Sequence, residues 1–294
     1  MPAEPALAEP AQLPLDRLQS LWFQITGLLC NLECTHCLVD SSPRNRSMAF
    51  LERSTVRAIL AEAAPLGLKE AYFTGGEPFL HKEMTGILED TLHLVPATVL
   101  TNGTLLTERL AATLGAVAAG WRFSLEIRVS MDHPDPERND AVRGPGTHAK
   151  AMRALSRLEA NGLLPIVTAT EFVLGQDPTE SPVYAEFLDM LRRHGISRPR
   201  LKILPVFHTG KLEDPNRGGT ITREMLQGLD PELLQCSATR LVAADGIYAC
   251  PILAGVSEAR ISRAEGLRTG LAPVTLSHHA CRTCYETGMT CSNY

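Results

Sequence analysis

Several things are missing from this 294-residue chain. No apolar run approaches the ~20 residues that a bilayer-spanning helix needs, so no membrane span is expected. No dense Lys/Arg cluster is present, and the net charge is −5. Neither nucleic acid nor an anionic membrane surface is therefore an expected partner. The first 14 residues are rich in Pro and Ala, carry Glu4 and Glu9, and lack the basic and apolar regions of an export signal. A cytoplasmic location follows as the expectation, with residues 1–15 as a flexible tail or, in the alternative, a short strap packed on the body. Cysteine is absent between Cys37 and Cys236.

The eight cysteines are clustered instead, three within residues 30–37 and five within residues 236–291. In a reducing compartment such grouping reads as metal or cluster ligation rather than as disulfides. An apolar fraction of 44% supports a real core, large enough for one domain plus an appendage.

From Leu21 to about Val206, short β-like runs alternate with longer helical patterns. Strands are expected at 21–26, 70–74, 98–101, 126–130, 165–170 and 201–205. Helices are expected at 52–64, 82–94, 107–118, 147–161 and 181–193, with apolar residues at three- and four-residue spacing, as in Val56, Ile59, Leu60 and Ala63. Thr147 and Ser181 stand where N-caps are wanted, and Gly67, Gly120, Gly162 and Gly195 follow helix ends. Six βα units predict an α/β fold: a partial (βα)6 TIM-like barrel over 16–217, its site at the C-terminal strand ends. Residues 218–294 read as a small cysteine-rich extension that needs a metal or cluster to hold it, with a helix expected near 220–234.

The run Cys30-Asn-Leu-Glu-Cys34-Thr-His-Cys37 follows the first strand. Three thiolates in one tight loop suit a cubane cluster that leaves one iron open. Zinc is the alternative on this motif alone, with His36 as a fourth ligand. Thr74-Gly75-Gly76-Glu77-Pro78 ends the second strand, and its two glycines let backbone approach a ligand closely.

In order and placement, these two motifs resemble those of the radical S-adenosylmethionine (SAM) superfamily. The resemblance implies a [4Fe–4S] cluster on Cys30, Cys34 and Cys37, with SAM on its open iron. It places His36 beside the adenine and Gly75, Gly76, Glu77 and Pro78 at the methionine amino group. Asn102, at the third strand end, also falls in the implied cofactor site. Ser130 and Arg143 are implied for the SAM carboxylate, which the planar guanidinium fork of an arginine suits. Pro205, Val206 and Gly210 echo a sixth-strand segment of peptide-modifying relatives.

The late cysteines resemble the auxiliary-cluster extensions called Twitch and SPASM. Carried over, Cys236, Cys250, Cys281 and Cys284 would hold one auxiliary [4Fe–4S] cluster. Cys291 either replaces one of them or stays a free thiol that delivers a proton or hydrogen atom to a radical. A zinc knuckle is the other reading of this group, with His278 and His279 nearby.

The activity implied is reductive cleavage of SAM to a 5′-deoxyadenosyl radical, which abstracts hydrogen from an unactivated carbon of a peptide or small molecule. Oxidation or crosslinking would follow, with flavodoxin or ferredoxin as electron donor. Candidates for the acid or base, besides Cys291, are Asp132, Glu171 and His208, chosen by position. The rival from another class is a non-catalytic zinc-binding scaffold.

Overall fold

The computed structural model describes residues 9–174, 182–214, 219–263, 266–288 and 291–292. Its strands are β1 (Gln12–Leu13), β2 (Ser20–Gln24), β3 (Glu70–Thr74), β4 (Ala97–Thr101), β5 (Leu125–Ser130), β6 (Ile166–Thr170), β7 (Leu201–Leu204), β8 (Thr239–Ala243), β9 (Gly246–Tyr248), β10 (Arg260–Ser262) and β11 (Val274–Thr275). The helices are α1 (Arg53–Ala63), α2 (Met84–Leu92), α3 (Glu108–Gly120), α4 (Pro136–Arg143), α5 (Thr147–Ala160), α6 (Glu171–Leu174), α7 (Pro182–Arg193) and α8 (Ala280–Thr287).

The main sheet has nine strands in the order β10-β9-β8-β2-β3-β4-β5-β6-β7. Every pairing from β8 through β7 is parallel. Successive side chains of a strand face opposite ways, so register decides what each face contains. Trp22 lies opposite Tyr72 and Leu241, and Phe23 lies opposite Phe73 and Val242. Phe23 and Phe73 stack at 5.4 Å and join the core beneath the helices, with Val56, Ile59 and Leu60 of α1. Trp22 and Tyr72 stack at 4.2 Å and face the barrel interior. The result is an α/β partial barrel, helices outside and a lined interior within.

Four features depart from expectation. Part of the expected tail takes the alternative form, a strap: Pro10 bridges Thr222, and β1 pairs antiparallel with β11. Ala11 and Leu13 are buried there, because two apolar residues two apart put both side chains on one face. The region after 218 is not a separate appendage, since β8 adds in parallel to β2 and the β8–β9 hairpin extends the main sheet. Residues 220–234 form turns, with a 3-10 turn at Pro231–Leu233 rather than a helix. Gly228 at φ +80° and Pro231 interrupt any helical ladder. Finally, α4 was not expected, because its sequence is polar; Asp135 caps it and Pro136 opens it.

Thr147 is the first residue of α5 rather than its cap, which is Gly146, and Gly120 ends α3 from within. Ser181 lies outside the described residues. Among the described residues, no helix is long and apolar enough to cross a membrane.

Candidate active site

The loop after β2 carries the first three cysteines and is fixed by backbone bonds: Cys30 N–H donates to Ser42 O at 3.1 Å, and Thr35 N–H to Val142 O at 3.0 Å. Three N–H groups point at its sulfurs. Leu32 N reaches Cys30 Sγ at 3.4 Å, Ser41 N reaches Cys37 Sγ at 3.2 Å, and Asn102 Nδ2 reaches Cys30 Sγ at 3.7 Å. Such donors favour thiolate over thiol. Burial acts the other way and pushes the Cys30 thiol up to about 12 and raises that of Cys34. Thiolates here therefore need a cation beside them, and metal binding would release their protons.

The Gly-Gly-Glu turn docks directly on this loop. Gly76 N–H donates to Gly27 O at 3.1 Å and Glu77 N–H to Leu29 O at 3.2 Å. A Cβ on Gly76 would stand 2.1 Å from Leu29 O, so only glycine fits. Glu77 itself turns away, wholly buried. Its carboxyl accepts from Thr101 Oγ1 at 2.7 Å, Asn102 N at 2.8 Å and Phe79 N at 3.2 Å. Burial raises it to about 7 against the pull of those bonds. It ties the ends of β3 and β4 together.

Asp132, past the end of β5, is buried completely and organises the opposite wall. Its Oδ2 lies 2.6 Å from Arg143 Nε and 2.9 Å from His36 Nε2. Its Oδ1 accepts from Thr170 N and Oγ1, both at 3.1 Å. Burial disfavours its charge, but Arg143 and His36 win and hold it well below the ordinary carboxylate range. The sequence offered Asp132 as an acid or base; its lone pairs are instead spent on positioning Arg143 and His36.

These walls enclose a cavity of about 210 Å³ at the C-terminal strand ends. It gathers Cys30, Cys34, Cys37, His36, Gly75, Gly76, Asn102, Ser130 and Arg143 from five separate segments, and Cys291 as well. Glu77, Pro78, Asp132, Glu171 and His208 do not line it. Glu171 begins α6 instead, and the His208 carbonyl oxygen lies 2.6 Å from His279 Nε2. The cavity fits a cluster and a bound cofactor: three sulfurs share it, and the buried His36 Nδ1 has no hydrogen-bond partner.

The loop after β7 carries weak signals in the sequence. It lies on the cysteine loop through Lys211 N to Cys37 O at 3.0 Å and Thr209 Oγ1 to Leu38 O at 3.0 Å. A Cβ on Gly210 would stand 2.4 Å from Cys37 O, and that glycine was the available signal.

A second, much smaller cavity is lined by Cys236, Cys250, Cys281 and Cys284 among apolar side chains. Cys281 and Cys284 lie one turn apart on α8. Burial pushes Cys281 up to about 12 and raises the other three thiols. Beside them Arg240 is wholly buried, donating to the carbonyls of Cys236, Gly270 and Ala272 at 2.7–2.8 Å. Burial pulls its pKa down to about 10, while negative charge on Cys236 and Cys250 would raise it. Ile252 lines both cavities and is their common wall. His278 and His279 gather with Glu213 and do not line the cysteine cavity.

The profile of the Radical SAM superfamily matches residues 25–183, more than half of the chain. A GTP 3′,8-cyclase of Chlorobaculum tepidum is 29% identical over 213 residues, 69% of this chain and 60% of that protein. The mycofactocin maturase MftC of Mycobacterium ulcerans is 33% identical over 161 residues, 54% of this chain and 42% of that protein. The matches thus span less than two thirds of either relative. Among solved structures, anSMEcpe with bound AdoMet superposes with a TM-score of 0.61 at 17% identity, over 84% of this chain and 74% of that one. Streptococcus suis SuiB bound to S-adenosylmethionine gives 0.61 at 14% identity, over 84% and 63%. Those two likenesses speak for the fold. With the profile match covering both motifs and strands β3 to β6, the chain belongs to the radical SAM superfamily of iron–sulfur enzymes.

Proposed function

We propose that this chain abstracts hydrogen from an unactivated carbon of a peptide or small molecule, using a cluster held by Cys30, Cys34 and Cys37. The observation that carries the reading is the single cavity that gathers these three sulfurs with Gly75, Gly76, Ser130 and Arg143. When bound, the reduced cluster and SAM supply a 5′-deoxyadenosyl radical. The chain's own residues do the rest. Backbone at Gly75 and Gly76 leaves room for the methionine amino group. Arg143, steered by Asp132, offers positive charge to the carboxylate, with Ser130 beside it. His36, held by Asp132 and stacked on Phe172 at 5.5 Å, supplies a ring surface for the adenine. Trp22, Leu100 and Leu204 keep the wall apolar, which limits quenching by water.

Cys236, Cys250, Cys281 and Cys284 hold an auxiliary [4Fe–4S] cluster in this account. The buried Arg240 supports that assignment, because an uncompensated guanidinium in an apolar site is costly and a thiolate-bound cluster is anionic. Such a centre, one residue from the main cavity, would bind substrate or pass an electron. A flavodoxin- or ferredoxin-class donor supplies reducing equivalents, and a reducing cytoplasm suits eight free cysteines. The zinc-scaffold alternative is not favoured for a member of this superfamily.

Anaerobic reconstitution with iron and sulfide, then reduction and SAM, tests the reading. The wild type should form 5′-deoxyadenosine, and a Cys30/Cys34/Cys37→Ala variant should form none while keeping its auxiliary iron. A clustered wild type that never cleaves SAM overturns it.

A further inference from the structure

We propose that Cys291 is a hydrogen-atom donor in the reaction cavity, and that the substrate is a compact, oxygen-bearing molecule inverted at a C–H carbon. The proposal rests on the radical reading above and deepens it. Cys291 is 6% exposed and lines the same cavity as Cys30, Cys34 and Cys37. It does not line the cavity of the other four late cysteines. Its backbone is fixed from several sides. Its N–H donates to the side chain of Gln235, and its carbonyl accepts from Arg128 Nη1 at 2.7 Å. The next carbonyl, of Ser292, accepts from Lys202 Nζ, and Ser292 Oγ lies 3.4 Å from Ser20 Oγ. Residues of β2, β5 and β7 thus hold this short segment against the barrel interior, and one thiol projects from it into the lining.

A second observation points to a ligand there. Trp22 and Thr168, 1% and 8% exposed, line the same cavity, and neither Trp22 Nε1 nor Thr168 Oγ1 has a hydrogen-bond partner. A buried polar atom without a partner is costly, so a bound molecule that satisfies it is favoured. The indole N–H only donates and the hydroxyl does both, so together they call for hydroxyl, ether or carbonyl oxygens. Trp22 packs in the same interior cluster as Cys291. An oxygen-bearing substrate bonded to Trp22 would present its C–H groups near the thiol.

Once Cys30, Cys34 and Cys37 bind iron, Cys291 is the thiol left among the described lining residues. The S–H bond is weaker than aliphatic C–H and alcohol O–H bonds, so it yields hydrogen to a carbon radical readily. One substrate C–H breaks as its hydrogen goes to the 5′-deoxyadenosyl radical, giving 5′-deoxyadenosine and a substrate radical. The Cys291 S–H bond breaks, a new C–H bond forms on the other face, and a thiyl radical stays on sulfur. One electron from the ferredoxin- or flavodoxin-class donor and one proton from solvent restore the thiol. The carbon is inverted without net oxidation, and one SAM is consumed per turnover.

The test needs no substrate. Reconstituted wild type and Cys291→Ser are placed in D2O with SAM and titanium(III) citrate, and the deuterium in 5′-deoxyadenosine is read by mass spectrometry alongside the iron content. In the absence of substrate the thiol quenches the adenosyl radical itself. Wild-type product should carry one deuterium, and the deuterated fraction should fall by about tenfold or more in the variant. Iron content should be equal in the two proteins. Equal deuterium in both overturns the proposal. Iron lost from the variant makes Cys291 a cluster ligand and overturns it too, as does a variant that forms no 5′-deoxyadenosine. A wild type that forms none removes the radical reading itself, and the proposal with it.

Discussion

Asp132 shows how much one carboxylate can carry. Its two oxygens meet Arg143, His36 and Thr170 in a fully buried site. Asp132→Asn leaves the Arg143 charge without its partner, and removing one member of a buried pair costs on the order of 3–5 kcal/mol. Anaerobic urea unfolding should show that loss, and equilibrium binding should show weaker SAM affinity. Glu77 makes a pH prediction. Burial raises its folded pKa to about 7, above an unfolded value of 4.5. The stability it contributes is full below the unfolded value and is lost as pH rises through the folded one. Relative to Glu77→Gln, the wild type should therefore lose ~3 kcal/mol between about pH 5 and 8. A pH series of melting curves on both proteins reads this; parallel curves contradict it. Roles such as these were hidden in the sequence, where Glu77 and Asp132 look like site residues. Nothing in the spacing says whether a carboxylate faces the ligand or its neighbours.

At the scale of elements, docking of the Gly-Gly turn on the cysteine loop is the critical contact. Gly76→Ala should push the loop away and lower iron bound at Cys30, Cys34 and Cys37, leaving auxiliary iron intact; Mössbauer spectra separate the two. Phe73→Ala, in the core under the helices, should instead lower stability by about 3–5 kcal/mol without favouring either cluster. Strands β2 to β7 were legible to within a residue or two, because parallel strands are short apolar runs between turn signals. Helix α4 was not, since only Asn139 and Val142 of its eight residues are buried. Neither was α8, where Ala280 alone is buried and half-buried cysteines stand in place of periodic aliphatics. Strands β8 to β10 have three to five residues each, too short to announce which sheet they join.

The whole molecule couples its ends to its centre. The strap β1 holds β11, and Ala11 bonds both Ile221 and Leu276 through its backbone at 2.7 and 2.9 Å. Ala11→Asp should place a charge in that closed site and loosen the segment beside Cys236, Cys281 and Cys284. Auxiliary iron should fall while SAM cleavage capacity per remaining cluster persists. Two groups of cysteines far apart in sequence thus flank one wall, Ile252, and the sequence foretold the grouping though not the shared wall. In the proposed function, the cluster of Cys30, Cys34 and Cys37 keeps an iron open to SAM. Electron paramagnetic resonance of two reduced variants tests it most directly, one lacking Cys281 and Cys284 and the other lacking Cys30, Cys34 and Cys37. Adding SAM should shift the signal of the first and leave the second unchanged. A SAM-insensitive signal in the first, or a shift in the second, would contradict the account.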